Sequence, residues 1–136
     1  MGLEDIPNVQ ILEFRDSVKW NFEKHPSYNG KFIAMRDKQG KNYLFSIVSI
    51  DPNELLMRQH KDLVYIFNMN AIDDYNVSNP GSEFNVTGGG KIKVSSESVS
   101  LYDKSEKYGE FNRSDIESII KDYMVKNLPK HTLSFE

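Results

Sequence analysis

The chain has 136 residues, a formal net charge of −3 and no cysteine. Its length predicts one domain over residues 1–136, and the lack of cysteine excludes a disulfide framework, a thiol nucleophile and thiolate metal ligands. Charges of both signs are interspersed, and neither a secretory signal nor an apolar run near the ~18 residues of a membrane span is visible, so we expect a cytoplasmic protein with no nucleic-acid and no membrane partner.

The N-terminal part of the chain is predicted to form strands. Residues 9–14 (VQILEF) are short and apolar, which is typical of an edge strand, and residues 18–22 (VKWNF) alternate and either continue that strand or pair with it. Asn29 and Gly30 form a strong turn signal that closes a loop. The two apolar runs KFIAMRD and KNYLFSIVSI, on either side of a short turn that contains Gly40, predict a β-hairpin.

Residues 51–71 change to a helical period. His60 lies on a line with Leu56, Val64 and Phe67, and either Asp51 or Asn53 can cap the start of the helix. The polar residues 72–82 that follow predict a loop with a Pro-Gly turn.

A second hairpin is predicted from EFNVTGGGKIKV and SVSLYDKS, with its turn at residues 95–97. The strand contains three consecutive glycines, residues 88–90. Phosphate-binding glycine loops lead into a helix, whereas these glycines lead into a strand. The glycines therefore predict a β-bulge or a close crossing of another backbone segment.

The last helix is predicted to open with a capping box formed by Ser114 and Glu117 and to stop before Leu128. Its apolar stripe consists of Ile116, Ile119, Ile120, Tyr123 and Met124. The final HTLSFE reads as a short strand. The order of elements predicts an α+β fold, a single mixed or antiparallel sheet of about six strands with two main helices packed on it.

His60 is the first candidate for chemistry. Partial burial on the helix favours the neutral imidazole, which can act as a nucleophile or base near pH 7. The alternative is a boundary histidine that is hydrogen-bonded to a backbone carbonyl, which is the commoner role. The three histidines of the chain are scattered, so their spacing predicts no metal site.

Two further features of the sequence are candidates for anion binding. Lys31 and Arg36 point to opposite faces of their strand, so at most one of them can belong to a given anion-binding site. The alternative for both residues is that they are ordinary surface charges. Residues 102–111 (YDKSEKYGEF) contain Ser105 before the last helix. Successive N–H groups in such a turn can bind a tetrahedral anion, with Lys104 or Lys107 adding positive charge; a plain solvated connection is the alternative.

Four stretches together resemble the janus/ocnus family of protein histidine phosphatases. GKFIAMRD (residues 30–37) resembles the family's first core strand, and QHKDLVYIF (residues 59–67) resembles its helical His-x-Asp segment. GGGKI (residues 88–92) and LYDKSEKYGEF (residues 101–111) are similar to its glycine-rich strand entry and its Tyr-x-x-Ser-x-x-Tyr-Gly turn. The likeness spans residues 30–135 and implies a janus-like core over residues 30–136, preceded by an N-terminal extension with edge strands over residues 1–29.

The resemblance implies a set of site residues and an activity. His60 would be the catalytic histidine, and Lys31 would help to hold the phosphoryl group. Ser105 and the N–H groups of Glu106 and Lys107 would bind the phosphate. Tyr108 and Gly109 would shape that turn. The implied activity is metal-independent and cofactor-free hydrolysis of phosphohistidine or a related phosphoramidate, carried by a phosphorylated protein or a small molecule.

The chain also departs from the family pattern. Gln59 stands where the family usually has a tyrosine, and the turn around Ser105, which is small and apolar in the family, carries charges of both signs at residues 103–107. Acidic groups beside a phosphate site repel the anion. The alternative function is therefore a catalytically inactive janus-like module that binds a protein partner of unknown identity.

Overall fold

The computed structural model describes residues 7–13, 16–50, 84–105 and 108–135. The strands are β1 (Val9–Glu13), β2 (Asp16–Ser17), β3 (Ser27–Asp37), β4 (Asn42–Ser49), β5 (Phe84–Ser95), β6 (Ser98–Tyr102) and β7 (Thr132–Phe135). The helix of the described residues, α1, is Arg113–Asn127. The predicted helix over residues 51–71 and the predicted loop over residues 72–82 lie outside the described residues.

The strands form one mixed sheet in the order β2-β1-β4-β3-β5-β6-β7. The pairs β1–β4 and β6–β7 are parallel, and the other neighbours are antiparallel. The α+β class and the mixed sheet are thus confirmed, as are both predicted hairpins. The sheet has seven strands where about six were expected, because the two residues of β2 pair with the end of β1.

α1 packs on one face of the sheet through apolar residues that recur at helical spacing. Ile116, Ile120 and Met124 of the predicted stripe are buried, while Ile119 and Tyr123 pack at its margin. The strand residues buried in the same core are Val9, Ile11, Tyr28, Phe32, Ala34, Leu44, Val48, Ile92, Val94, Val99 and Leu101. Among the described residues, no helix combines the length and the apolar character that crossing a bilayer requires.

The two central strands, β3 and β4, are buried on both faces. Phe32 and Ala34 face α1, whereas Ile33 and Met35 lie on the opposite face, and all four are at most 1% exposed. Strands that are buried on both sides have near-continuous apolar sequences, which is why FIAM shows no alternation. The strand that carries Lys31 is therefore held firmly in the sheet.

The N-terminal residues contribute directly to the sheet. β1 pairs with β4 along its whole length and lies one strand inside the edge, so it is not the edge strand that was predicted. Val9 and Ile11 of β1 belong to the core under α1. The boundary expected at residues 29 and 30 falls inside β3, which begins at Ser27.

The predicted strand over residues 18–22 is wrong. Its alternating side chains Val18, Trp20 and Phe22 instead pack as a loop against the margin of the core. Trp20 donates a hydrogen bond from Nε1 to the hydroxyl of Tyr123 on α1 at 3.2 Å. Val18 N still donates to the carbonyl of Ile11 in β1 at 3.2 Å. Beyond Val18 the alternation reflects one-sided packing of an irregular segment.

The predicted turn at Asn29 and Gly30 is also wrong, because both residues lie within β3 and pair with Ser49 and Val48 of β4. A Cβ atom at Gly30 would overlap the carbonyl oxygen of Ile47. Glycine is needed here for the close approach of β4, and this requirement outweighs its preference for turns.

The N-terminus of α1 differs from the predicted capping box. Asn112 is the N-cap, with an extended backbone (φ −90°, ψ 114°), and its Oδ1 accepts hydrogen bonds from the backbone N of Ser114 at 3.0 Å and from Ser114 Oγ at 2.7 Å. Ser114 therefore lies within the first turn. An asparagine oxygen satisfies one of the free N–H groups at a helix start.

Asn112→Ala is expected to lower the free energy of unfolding by about 1 kcal/mol, because the first turn loses its capping oxygen. Ser114→Ala is expected to cost less, since the backbone N–H of residue 114 still donates to Asn112 Oδ1. Urea unfolding of both variants measures the difference. A larger loss for Ser114→Ala would contradict Asn112 as the cap.

Candidate functional site

The three glycines of β5 lie where another backbone segment crosses the strand. Gly89 N donates to the carbonyl of Gly109 at 3.1 Å, and Gly89 also pairs with Glu110 in a parallel bridge. A Cβ atom at Gly88 would lie 2.6 Å from the Glu110 carbonyl oxygen. The pairing of β3 with β5 shifts register between Ala34 and Met35, so the predicted crossing and the predicted bulge are both present.

Ser105 and Gly109 close a tight turn against these glycines, called here the 105–109 turn. Ser105 N donates to the carbonyls of both Gly89 and Gly109 at 3.2 Å, and Gly109 N donates back to the Ser105 carbonyl at 2.9 Å. Tyr108 N donates to Ser105 Oγ at 3.0 Å. Gly109 has φ +84°, a left-handed conformation that favours glycine. Six backbone and side-chain atoms of Ser105, Tyr108 and Gly109 thus take part in the hydrogen bonds that join the two ends of the turn to each other and to β5.

An N–H group that already donates a hydrogen bond within the protein is not available to an anion, so the hydrogen bonds of the turn limit which of its groups can bind one. The N–H groups of Ser105, Tyr108 and Gly109 are all used within the turn and its contact with β5. The Ser105 side chain is buried at 2% exposure, and a hydroxyl that accepts one bond can still donate another. Burial raises the pKa of Tyr108, so its phenol stays neutral.

Lys31 lies directly opposite Lys91 on the neighbouring strand β5, so the two side chains share one face of the sheet. Lys91 was not among the predicted site residues. Its Nζ lies 3.1 Å from Oδ2 of Asp103, which follows β6 and has the left-handed φ of 65°. The hydrogen bond from Lys91 lowers the pKa of Asp103, with a further contribution from the backbone N–H of Lys104. The pair places a carboxylate beside Lys91.

Strand geometry relates the lysines to the turn. Ser105 lies beside Gly89, two residues along β5 from Lys91, which corresponds to roughly 8 Å between the Cα atoms of Ser105 and Lys91. Lys31 is one strand further away, at roughly 12 Å. Lys91 is therefore the nearer of the two lysines to the turn.

Arg36 is excluded from this face. Its guanidinium lies 2.9 Å from the carboxylate of Asp115 on α1. It also donates from Nε to Asn42 Oδ1 at 3.1 Å. By strand alternation Lys31 points to the face opposite α1. The prediction that the two cations serve different faces therefore agrees with the sheet.

A separate cleft of about 360 Å³ lies between the start of β1 and α1. Pro7, Asn8, Asp122 and Tyr123 are among its lining residues. Of the residues predicted for phosphate chemistry, the four that the structure describes, Lys31, Ser105, Tyr108 and Gly109, do not line this cleft. Over the described parts of the chain, no three histidine, aspartate, glutamate or cysteine side chains are grouped as metal ligands would be.

The structure thus brings together part of the predicted site. Ser105, Tyr108 and Gly109 form the turn, and Lys31 lies with Lys91 on the adjacent strands. His60, Glu106 and Lys107 lie outside the described residues. In comparisons with known proteins, no family model and no curated sequence matches the chain.

Proposed function

We propose that the protein is a metal-independent phosphohydrolase that acts on phosphohistidine or a related phosphoramidate. The observation that carries the proposal is the closed 105–109 turn, held against the glycines of β5 beside the opposed Lys31 and Lys91. The 105–109 turn, the glycines of β5 and the part of β3 that carries Lys31 belong to three of the four stretches that resemble the protein histidine phosphatases. The sheet brings these distant stretches of the chain side by side.

Each group has a defined task in the proposed reaction. The lysine ammonium groups act as point charges that stabilise the equatorial phosphoryl oxygens, and the Ser105 hydroxyl donates a hydrogen bond to one of them. His60, which the resemblance assigns to the chemistry, either accepts the phosphoryl group or activates water. The P–N bond breaks as the leaving nitrogen takes up a proton, and water supplies the oxygen of the released phosphate.

Lys31→Met tests the electrostatic part of the proposal, because methionine keeps the aliphatic stem and removes the charge. We expect the wild-type protein to release phosphate from phosphohistidine or phospholysine, and the variant to show kcat/KM lowered about 10- to 100-fold. Lys126→Met is the matched control, since Lys126 is exposed on α1 at the other face of the sheet. No release by the wild type, or equal rates in the two variants, would contradict the proposal.

A second candidate is a protein-binding module with the same fold and no turnover. Two observations favour it: three N–H groups of the turn are already paired, and Asp103 compensates the charge of Lys91. This candidate requires that the wild type release no phosphate. It also requires an unchanged unfolding temperature in millimolar phosphate, because a ligand that binds only the folded state raises that temperature.

A further inference from the structure

The face of the sheet that carries Lys31 and Lys91 continues past them, away from the 105–109 turn, as a polar surface. Lys93 lies two residues beyond Lys91 on β5 and is exposed. Its cross-strand neighbours are Asn29 on β3 and Ser100 on β6. Side chains two residues apart on a strand point to the same face, with their Cα atoms about 6.8 Å apart.

This surface gathers three lysines, Lys31, Lys91 and Lys93. Lys31 lies opposite Lys91, and cations that face each other across strands repel. Asp103 pairs with Lys91 at 3.1 Å. Lys93 has no ion-pair partner within the described ranges of the chain. An exposed ammonium group without an ion-pair partner is available to bind an anion from outside.

The chemistry of the surface indicates a carboxylate-bearing segment. The pair between Lys91 and Asp103 is itself a lysine–carboxylate contact on this face. Alternate residues of an extended polypeptide repeat at the same spacing as Lys91 and Lys93. Beside Lys93, Asn29 and Ser100 supply neutral hydrogen-bonding groups. A long nucleic acid extends beyond this face and would be repelled by the net charge of −3 of the protein. A short acidic segment contacts this face alone.

We propose that this face docks an acidic polypeptide segment next to the phosphorylated residue, and that Lys93 determines specificity for that segment. The inference rests on the proposed function and adds the chemistry of the segment that flanks the reacting residue. A small phosphoramidate held at the 105–109 turn does not extend to Lys93, which is four residues along β5 from Gly89, or about 14 Å. Lys93 therefore acts only on the flank of a larger substrate.

The test uses a fluorescein-labelled peptide with glutamate at alternate positions, carrying either an unmodified or a phosphorylated histidine. Lys93→Gln is expected to weaken binding of the unmodified peptide about two- to fivefold, the range of an exposed ion pair. Added salt is expected to weaken binding to the wild type. Lys126→Gln, the matched control on α1, is expected to bind like the wild type. For the phosphorylated peptide, Lys93→Gln is expected to raise KM by the same factor with kcat unchanged, and to act on free phospholysine like the control.

Three results would overturn the inference. The first is that a peptide with glutamine in place of glutamate binds as tightly as the glutamate peptide, and the second is that Lys93→Gln and Lys126→Gln bind the glutamate peptide with equal affinity. The third is that an oligonucleotide displaces the glutamate peptide at a lower concentration than unlabelled peptide does. The last result would assign the face to nucleic acid. Lys93-dependent peptide binding without turnover of any phosphoramidate would support the docking surface and reject the proposed function. Turnover together with any of the first three results would reject the docking surface alone.

Discussion

Gly88→Ala is expected to lower the free energy of unfolding by about 2–3 kcal/mol, because an added methyl group has no room at the crossing. The new Cβ atom would lie 2.6 Å from the Glu110 carbonyl oxygen and 2.7 Å from the Cα atom of Phe111. Both are backbone atoms, so no side chain can rotate away. The crossing segment must shift, and the bridge between Gly89 and Glu110 is lost with it.

Gly40→Ala is the matched control for this prediction. Nothing lies within 4 Å of a Cβ atom at Gly40, but its φ of +87° is unfavourable for alanine, which costs about 1 kcal/mol. Urea unfolding of both variants separates a steric clash from backbone strain. If Gly88→Ala were no less stable than Gly40→Ala, residues 108–111 would not cross β5 at the glycines.

Gly88→Ala is expected to disturb the candidate site as well as the fold. Phe111, which follows the crossing, stacks edge-on against Phe32 at 5.0 Å between ring centroids, and so ties the crossing to β3 and the core. Lifting the crossing from Gly88 would also move Gly109 and the hydrogen bonds that close the 105–109 turn. We therefore expect phosphate release to fall with stability in Gly88→Ala.

Local patterns predict the hairpins and the last helix well, because their signals lie within the elements themselves. Apolar runs of β-branched and aromatic residues around Gly40 give β3 and β4, and the stripe of Ile116, Ile120 and Met124 gives α1. The glycines of residues 88–90 predict a crossing because nothing local explains three of them in a strand.

The errors arise where tertiary contacts override a local signal. Gly30 belongs to a turn-forming pair, but the approach of the Ile47 carbonyl places it in a strand. Both Asn112 and Ser114 suit an N-cap, and the hydrogen bonds of Asn112 Oδ1 decide between them only in the folded chain. Lys91 was missed because its pairing with Lys31 depends on the register of strands far apart in sequence and on the bulge near Ala34.

Phosphate release from phosphohistidine by the wild type and by His60→Ala tests the proposed function most directly. If His60 accepts the phosphoryl group or activates water, its removal eliminates the chemical step, while the lysines and the turn remain. We expect the rate to fall about 10⁴-fold or more, as when a catalytic residue is removed from other hydrolases. His25→Ala is the matched control, because His25 packs against Tyr28 at a distance of 6.0 Å between ring centroids and has no assigned role in the reaction.

Circular dichroism and thermal unfolding establish that both variants are folded before their rates are compared. Turnover by the wild type and by His25→Ala, with loss of turnover in His60→Ala, is the predicted result. Equal rates in His60→Ala and the wild type, or no release of phosphate by either protein, would contradict a phosphohydrolase that works through His60.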